Sequence, residues 1–292
     1  MQLEFLKYLQ EMSNPFLDTF FILITNLGSE VFFILAITYI YWCVDKNMGI
    51  RLFFIIMTSV YINNILKELF HIQRPIYAEG INAVYKKSAP GYSFPSGHSQ
   101  TIATFWIYLM KKMKNKRLYI IGWSSVIFVA FSRLYLRVHW PLDVIAGIVI
   151  AGSIVIVLDY TIEKMVKYEI TYSMNIIICA FISMILLLSN FNEIAVKILG
   201  LTTAALIGYF VENKYIHFQE KSSLKYQIVK CVSGVFIFIA LQILMKKAFP
   251  SGIIANYMRY FIVGVWVTLI APALFKKFIP SFKISTSHTL AE

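Results

Sequence analysis

Apolar residues in this chain run in long blocks, and the breaks between blocks are short and charged. Blocks near 28–44, 50–70, 98–112, 118–136, 141–160, 171–190, 192–211, 227–247 and 253–275 approach the ~20 residues that carry a helix across a bilayer. The pattern predicts an all-α fold, a polytopic membrane helix bundle of about nine spans. Ahead of the first block, Gln2 to Met12 is amphipathic and Asn14 to Leu27 is apolar but short, which predicts an interfacial or re-entrant helix. The N-terminus lacks a basic region followed by an apolar core and a cleavage site, so insertion is expected to fall to the spans themselves.

Composition places the whole chain, and not only its blocks, in the membrane class. Of 292 residues, 59% are hydrophobic and 14% charged, and the mean hydropathy is +0.69; a soluble domain carries about 25% charged residues. Cys43, Cys179 and Cys231 lie in apolar runs without metal-type spacing. They read as packing residues, with no disulfide framework and no metal site.

The net charge of +12 is distributed as bilayer orientation requires, and no nucleic-acid partner is expected. Lys111, Lys112, Lys114, Lys116 and Arg117 crowd one short turn, and positive charge in short loops marks the cytoplasmic side. With alternating spans, Lys46, Arg51, Lys164, Lys167, Lys214, Lys221, Lys225, Lys276, Lys277 and Lys283 fall on that side too, while Lys86, Lys87, Lys246 and Lys247 run against the bias. The opposite, outward side receives three polar clusters: Lys67 to Pro75, Pro95 to His98 and Ser132 to Asp143. All three lie within residues 1–165, which are therefore expected to form a chemical core. Residues 166–292 form a C-terminal transmembrane extension without catalytic spacing, and Tyr160 to Glu169 is the candidate joint.

Each cluster suits an anion. Lys67 and Arg74 are seven residues apart, about two helical turns, which predicts both on one face of a helix that Pro75 ends. Two cations there would meet one anion, although either alone also fits a side chain snorkelling to the headgroups. Ser96 sits where an N-cap is expected, between Pro95, which fixes the backbone, and Gly97, which frees it. The first N–H groups of the following helix make an anion site. His98 would stand beside a phosphate there, placed to protonate a leaving oxygen, while Pro-Ser-Gly is also a plain helix start.

His139 and Asp143 are separated by one helical turn, and Pro141 is tolerated in a first turn. A carboxylate that accepts the proton of one imidazole nitrogen fixes the tautomer and frees the other nitrogen to attack. His139 is thus the candidate nucleophile. Arg133 can offer its planar fork to phosphate oxygens, as a lysine cannot. A histidine and aspartate at the mouth of a span also occur as a capping pair.

Taken in order, Lys-x6-Arg-Pro, Pro-Ser-Gly-His and Ser-Arg-x5-His-x3-Asp resemble the signature of the type 2 phosphatidic acid phosphatase family, the lipid phosphate phosphatases, over about residues 15–165. The resemblance implies a helix bundle with its site at the membrane surface. It implies that Lys67, Arg74, Ser96, Gly97 and Arg133 bind phosphate, that His98 is the acid, and that His139 is a nucleophile held by Asp143. A phosphohistidine would form and be hydrolysed by water, with no metal and no cofactor. The stretches Leu27 to Phe33 and Tyr41 to Asp45 are similar to the start of the sphingosine-1-phosphate phosphatase branch, which also carries extra C-terminal spans. Glu30 in the first of them calls for a partner or a function at that depth, and a hydrogen bond to the site is expected.

The implied function is hydrolysis of a phosphomonoester or diphosphate lipid, with phosphatidate, phosphatidylglycerol phosphate, undecaprenyl diphosphate and a sphingoid phosphate as candidates. Two alternatives stay open: a lipid phosphotransferase that hands the phosphoryl group to an alcohol, and a lipid-phosphate transporter that keeps the site for binding. The partners are a phosphorylated lipid and the bilayer. The expected location is the cell membrane, multi-pass, with the site on the extracytoplasmic face.

Overall fold

The computed structural model describes residues 1–167, 193–250 and 252–280. Every regular element among them is helical. Helix α1 spans Gln2–Glu11, α2 Pro15–Thr25, α3 Glu30–Tyr39, α4 Lys46–Phe70, α5 Gly97–Met113, α6 Lys116–Tyr135 and α7 Pro141–Lys167. Beyond them come α8 (Glu193–Val211), α9 (Leu224–Ala248), α10 (Ile253–Val265) and α11 (Ala271–Phe278). Six helices are long and apolar enough to cross a membrane, or seven if the bent pair Pro15–Gly28 and Glu30–Val44, 49° apart, is one span. The expected nine are not reached among the described residues. Helix α5 has 17 residues, fewer than the ~20 of a full span, and the block at 171–190 lies outside them, as do Cys179 and Lys283.

Local chemistry sets the helix ends. The Asn14 side chain accepts from Leu17 N ahead of Pro15, and the Ser96 side chain accepts from Ser99 N ahead of Gly97. Both satisfy a donor that the first turn leaves free. Helix α5 stops at Lys114 and α4 at His71, each with a left-handed backbone, φ 46° and 48°. The end of α4 corrects one expectation. Lys67 is on the helix, but Arg74 is not: it lies beyond the helix end in extended backbone, φ −75° and ψ 154°. A residue before proline is driven out of the helical region, so the cations share a site without sharing a helix face.

The chain divides into two compact units, Met1–Ala36 with Arg51–Ala195, and Ile37–Ile50 with Val196–Glu292. In the first, α5 packs against α6 and α7, and α2 packs on α6. The ends of α5 and α7 furthest from Gly97 are clamped by charge: Lys111 and Lys112 each lie 2.7 Å from the buried Asp159, and Lys112 lies 2.8 Å from Glu163. At the other end, α1 buries Leu6 and Leu9 against Ile81, with Trp140 alongside. Gln10 straps it to the link between α4 and α5 by donating to Gly80 O and accepting from Asn82 N.

The second unit holds a buried ion pair, Lys46 to Glu212 at 2.9 Å, and Trp42 Nε1 donates to Val267 O. Cys43 and Cys231 are free thiols there, with sulfurs 3.5 Å apart.

Candidate active site

A ladder of polar groups inside otherwise apolar helices joins α4 to α5. Asn63 Nδ2 donates to Gln100 Oε1 at 2.8 Å and to Pro95 O at 3.2 Å. Gln100 Nε2 donates to Ser59 O and Oγ, and Ser59 Oγ meets Thr104 Oγ1 at 2.9 Å. All four side chains are buried, where an unmade hydrogen bond is costly. The ladder therefore fixes the carbonyl just ahead of Ser96. From the other side α7 comes close enough that a Cβ on Gly147 would lie 2.8 Å from Ser96 O, and Ser96 N donates to Asp143 O at 3.0 Å.

Around that helix start the stretch 71–96 is held by cations. Arg74 donates Nε to Gly91 O, Nη2 to Pro90 O, and Nη1 to both Val138 O and His139 Nε2, at 2.8 to 2.9 Å. Lys67 Nζ donates to Tyr92 O at 2.6 Å. Arg133, fully buried, gives Nη1 to Thr25 Oγ1 and Ser88 Oγ and Nη2 to Ser88 O. Its Nε has no partner among the described residues, a desolvated donor whose cost an oxyanion would offset.

His139 stands between two opposite groups. Its Nδ1 faces Asp143 Oδ2 at 3.3 Å, and its Nε2 faces the Arg74 guanidinium at 2.9 Å. A guanidinium can only donate, so Nε2 carries the lone pair and Nδ1 the proton. Burial, and then the charges of Arg74, Arg133 and Lys67, hold the imidazole well below the ordinary histidine pKa, so the ring is neutral at physiological pH. His98 is the second residue of α5. Its side chain packs on the turn Asn26–Gly28, where a Cβ on Gly28 would sit 3.0 Å from His98 Cβ.

All eight residues singled out from sequence come into one region. Ser96 spends its hydroxyl on capping α5, through Ser99. A Cβ on Gly97 would meet Asn63 Oδ1 at 3.4 Å, an ordinary contact, so the protein's own packing does not require glycine there. Glu30, expected to bond to the site, is instead exposed in the first turn of α3. Sequence reasoning missed Ser93, whose hydroxyl donates to Asp143 Oδ2 at 2.5 Å. It also missed Thr25 and Ser88, which hold Arg133, and the Asn63–Gln100 ladder. The ladder had a signal, because amide side chains in the middle of apolar helices need partners. Thr25 and Ser88 had none, being ordinary loop and helix-end residues. A cleft of about 310 Å³ opens beside Asp143, lined by Gln2, Ile72, Phe94, Trp140 and Leu142. Among the described residues no group of three or more His, Cys, Asp or Glu gathers as a metal site would need.

The fold is a helical membrane bundle, and an oriented histidine stands in it among buried and half-buried cations. Residues 49–166 match the PAP2 superfamily and residues 196–283 the PAP2 superfamily phosphatase transmembrane extension; the chain belongs to the PAP2 superfamily. It is 32% identical over 182 residues to the probable sphingosine-1-phosphate phosphatase of Dictyostelium discoideum, covering 55% of this chain and 43% of that one. To the undecaprenyl-diphosphatase of Sulfolobus acidocaldarius it is 30% identical over 119 residues, covering 41% of this chain and 57% of that one. The chain spans about half the length of these curated relatives. The crystal structure of Aquifex aeolicus LpxE aligns with a TM-score of 0.49 at 25% identity, covering 54% of this chain and 93% of that one.

Proposed function

We propose that the chain is an integral membrane lipid phosphatase that works through a phosphohistidine at His139. The observation that carries the reading is the pairing of His139, with Nδ1–H on Asp143 and the Nε2 lone pair turned to Arg74. In the reaction Nε2 attacks phosphorus and the bond from phosphorus to the lipid oxygen breaks. That oxygen leaves with a proton from His98. Water then attacks the phosphohistidine, gives its proton to His98, and the phosphorus–nitrogen bond breaks to release inorganic phosphate.

Lys67, Arg74, Arg133 and the N–H groups at the start of α5 surround the phosphoryl oxygens, in the role metals play elsewhere. The Nη1–H of Arg74 that meets Nε2 is in place for an oxygen of a phosphoryl group on that nitrogen. Gly97 leaves room at the helix start, and the free Nε–H of Arg133 supplies a further donor.

The substrate class is a phosphomonoester or diphosphate on a lipid: a sphingoid phosphate, undecaprenyl diphosphate, phosphatidate or phosphatidylglycerol phosphate. The apolar lining of the cleft beside Asp143 suits a lipid chain, and the relatives named above include phosphatases of the first two kinds. Residues 1–165 carry the reaction and 166–292 form an appended bundle, since all eight site residues fall between Lys67 and Asp143. The site is assigned to the outer face of the cell membrane. Helix α5 is 17 residues long, about 25 Å at 1.5 Å per residue, and it separates the site from the Lys111 to Arg117 cluster.

The test is phosphate release by purified protein in detergent with excess chelator, offered these four lipids in turn. Release from at least one, abolished in His139→Ala, is expected. No release from any, or release that requires added Mg²⁺ or Zn²⁺, would overturn the reading.

A further inference from the structure

We propose that Ser93 is a positioning residue of the same reaction, aiming Asp143 and through it His139. This assignment rests on the reading of His139 as nucleophile. Three donors meet on one oxygen, Asp143 Oδ2: Trp140 N at 2.8 Å, His139 Nδ1 at 3.3 Å and Ser93 Oγ at 2.5 Å. Trp140 N belongs to the turn that starts α7, so it ties the carboxylate only to its own segment. The imidazole is the group to be oriented and cannot orient its own partner. Ser93 is the donor that comes from elsewhere, the link between α4 and α5.

That link is rigid at this point. Ser93 is fully buried, and its N–H donates to Ile72 O at 2.8 Å. Three residues on, Ser96 N holds the main-chain carbonyl of Asp143 at 3.0 Å. The segment 93–96 therefore grips Asp143 by both carboxylate and backbone. With Trp140 N alone, the carboxylate could still turn about its last torsion, which is broad for an aspartate. A second fixed donor removes that freedom and sets the direction in which Nδ1–H, and hence Nε2, points. The hydroxyl donates a charge-assisted hydrogen bond that the carboxylate accepts.

The experiment compares Ser93→Ala, Ser93→Cys, Ser93→Thr, and Ser93→Ala combined with Asp143→Asn, in detergent, with p-nitrophenyl phosphate and a lipid phosphate. Loss of one hydrogen bond to a charged acceptor is expected to lower kcat about tenfold or more in the alanine variant, with KM changed less than about twofold. Cysteine, of similar size but a weak donor, behaves like alanine and replaces it if alanine does not fold. Threonine, which keeps the hydroxyl, recovers most of kcat. In the Asp143→Asn background the further cost falls well below tenfold, because the Ser93 hydroxyl then meets a neutral amide oxygen, to which a hydrogen bond is worth less than to a carboxylate.

Unchanged kcat, a rise in KM alone, or the same tenfold cost with and without Asp143→Asn would overturn the assignment. Failure of the underlying reading looks different. There His139→Ala itself retains activity, whereas an inactive His139→Ala beside a fully active Ser93→Ala removes only the role of Ser93.

Discussion

Replacing Asp143 by asparagine takes a charge from the site while keeping its shape, and the structure says which way the amide will turn. Oδ2 accepts from Ser93, Trp140 and His139. An amide nitrogen there would face three donors, so the amide oxygen takes that position and His139 keeps its Nδ1 proton. What is lost is electrostatic. Phosphorylation at Nε2 leaves the ring cationic, and a carboxylate 3.3 Å from Nδ1 stabilises that charge by about 5 kcal/mol at an effective dielectric near 20. The amide dipole recovers part of this, leaving about 3 to 4 kcal/mol, or a fall in kcat of about 10² to 10³. Asp143→Ala is expected to do worse and to unfold earlier on heating, since buried donors left without an acceptor cost about 1–3 kcal/mol each. The assay is steady-state phosphate release beside a thermal unfolding scan in the same detergent. An asparagine variant within about threefold of the native kcat would refute the reasoning, because a cationic ring would then form without its counter-charge.

Three further outcomes are expected. His139→Ala loses turnover with every substrate, whereas His98→Ala is impaired far more with a lipid alcohol than with p-nitrophenyl phosphate, whose leaving group needs no proton; equal relative losses across the series would show the two roles to be wrongly divided. Attack requires neutral His139, and its pKa lies well below the ordinary value, so the competent form persists as pH falls until that lowered value is crossed. The acid limb of kcat/KM for p-nitrophenyl phosphate therefore falls below about 6.5, the free-histidine value, and a limb at or above it contradicts the burial argument. In a cysteine-free background, a single cysteine at the exposed Tyr77 should react with an impermeant maleimide from outside intact cells and one at Asn115 should not; the reverse would turn the protein over.

The helices and the residues that gather around His139 could be read from sequence because both leave local marks. Apolar blocks of span length need no tertiary context, and the motif residues cluster within a few positions of proline, glycine or a helix start. The geometry that joins them did not leave such marks. Arg74 was expected on a helix, but the left-handed turn at His71 and the proline after Arg74 take it off and let it bridge carbonyls from 90, 91 and 138. Ser93 looked like any loop serine, because its partner lies 50 residues on. Glu30 misled in the other direction: an acidic residue at the start of a span suggested a buried partner, yet it faces outward.

Trapping the intermediate tests the central proposal most directly. Protein mixed with a ³²P-labelled substrate and quenched in alkali within milliseconds should carry label on the chain that survives base and is lost in acid, as a phosphorus–nitrogen bond is. The label should be absent in His139→Ala and present in His98→Ala with a good leaving group. Label that persists in His139→Ala, or full turnover with no labelled chain at any time, would contradict a phosphohistidine at His139.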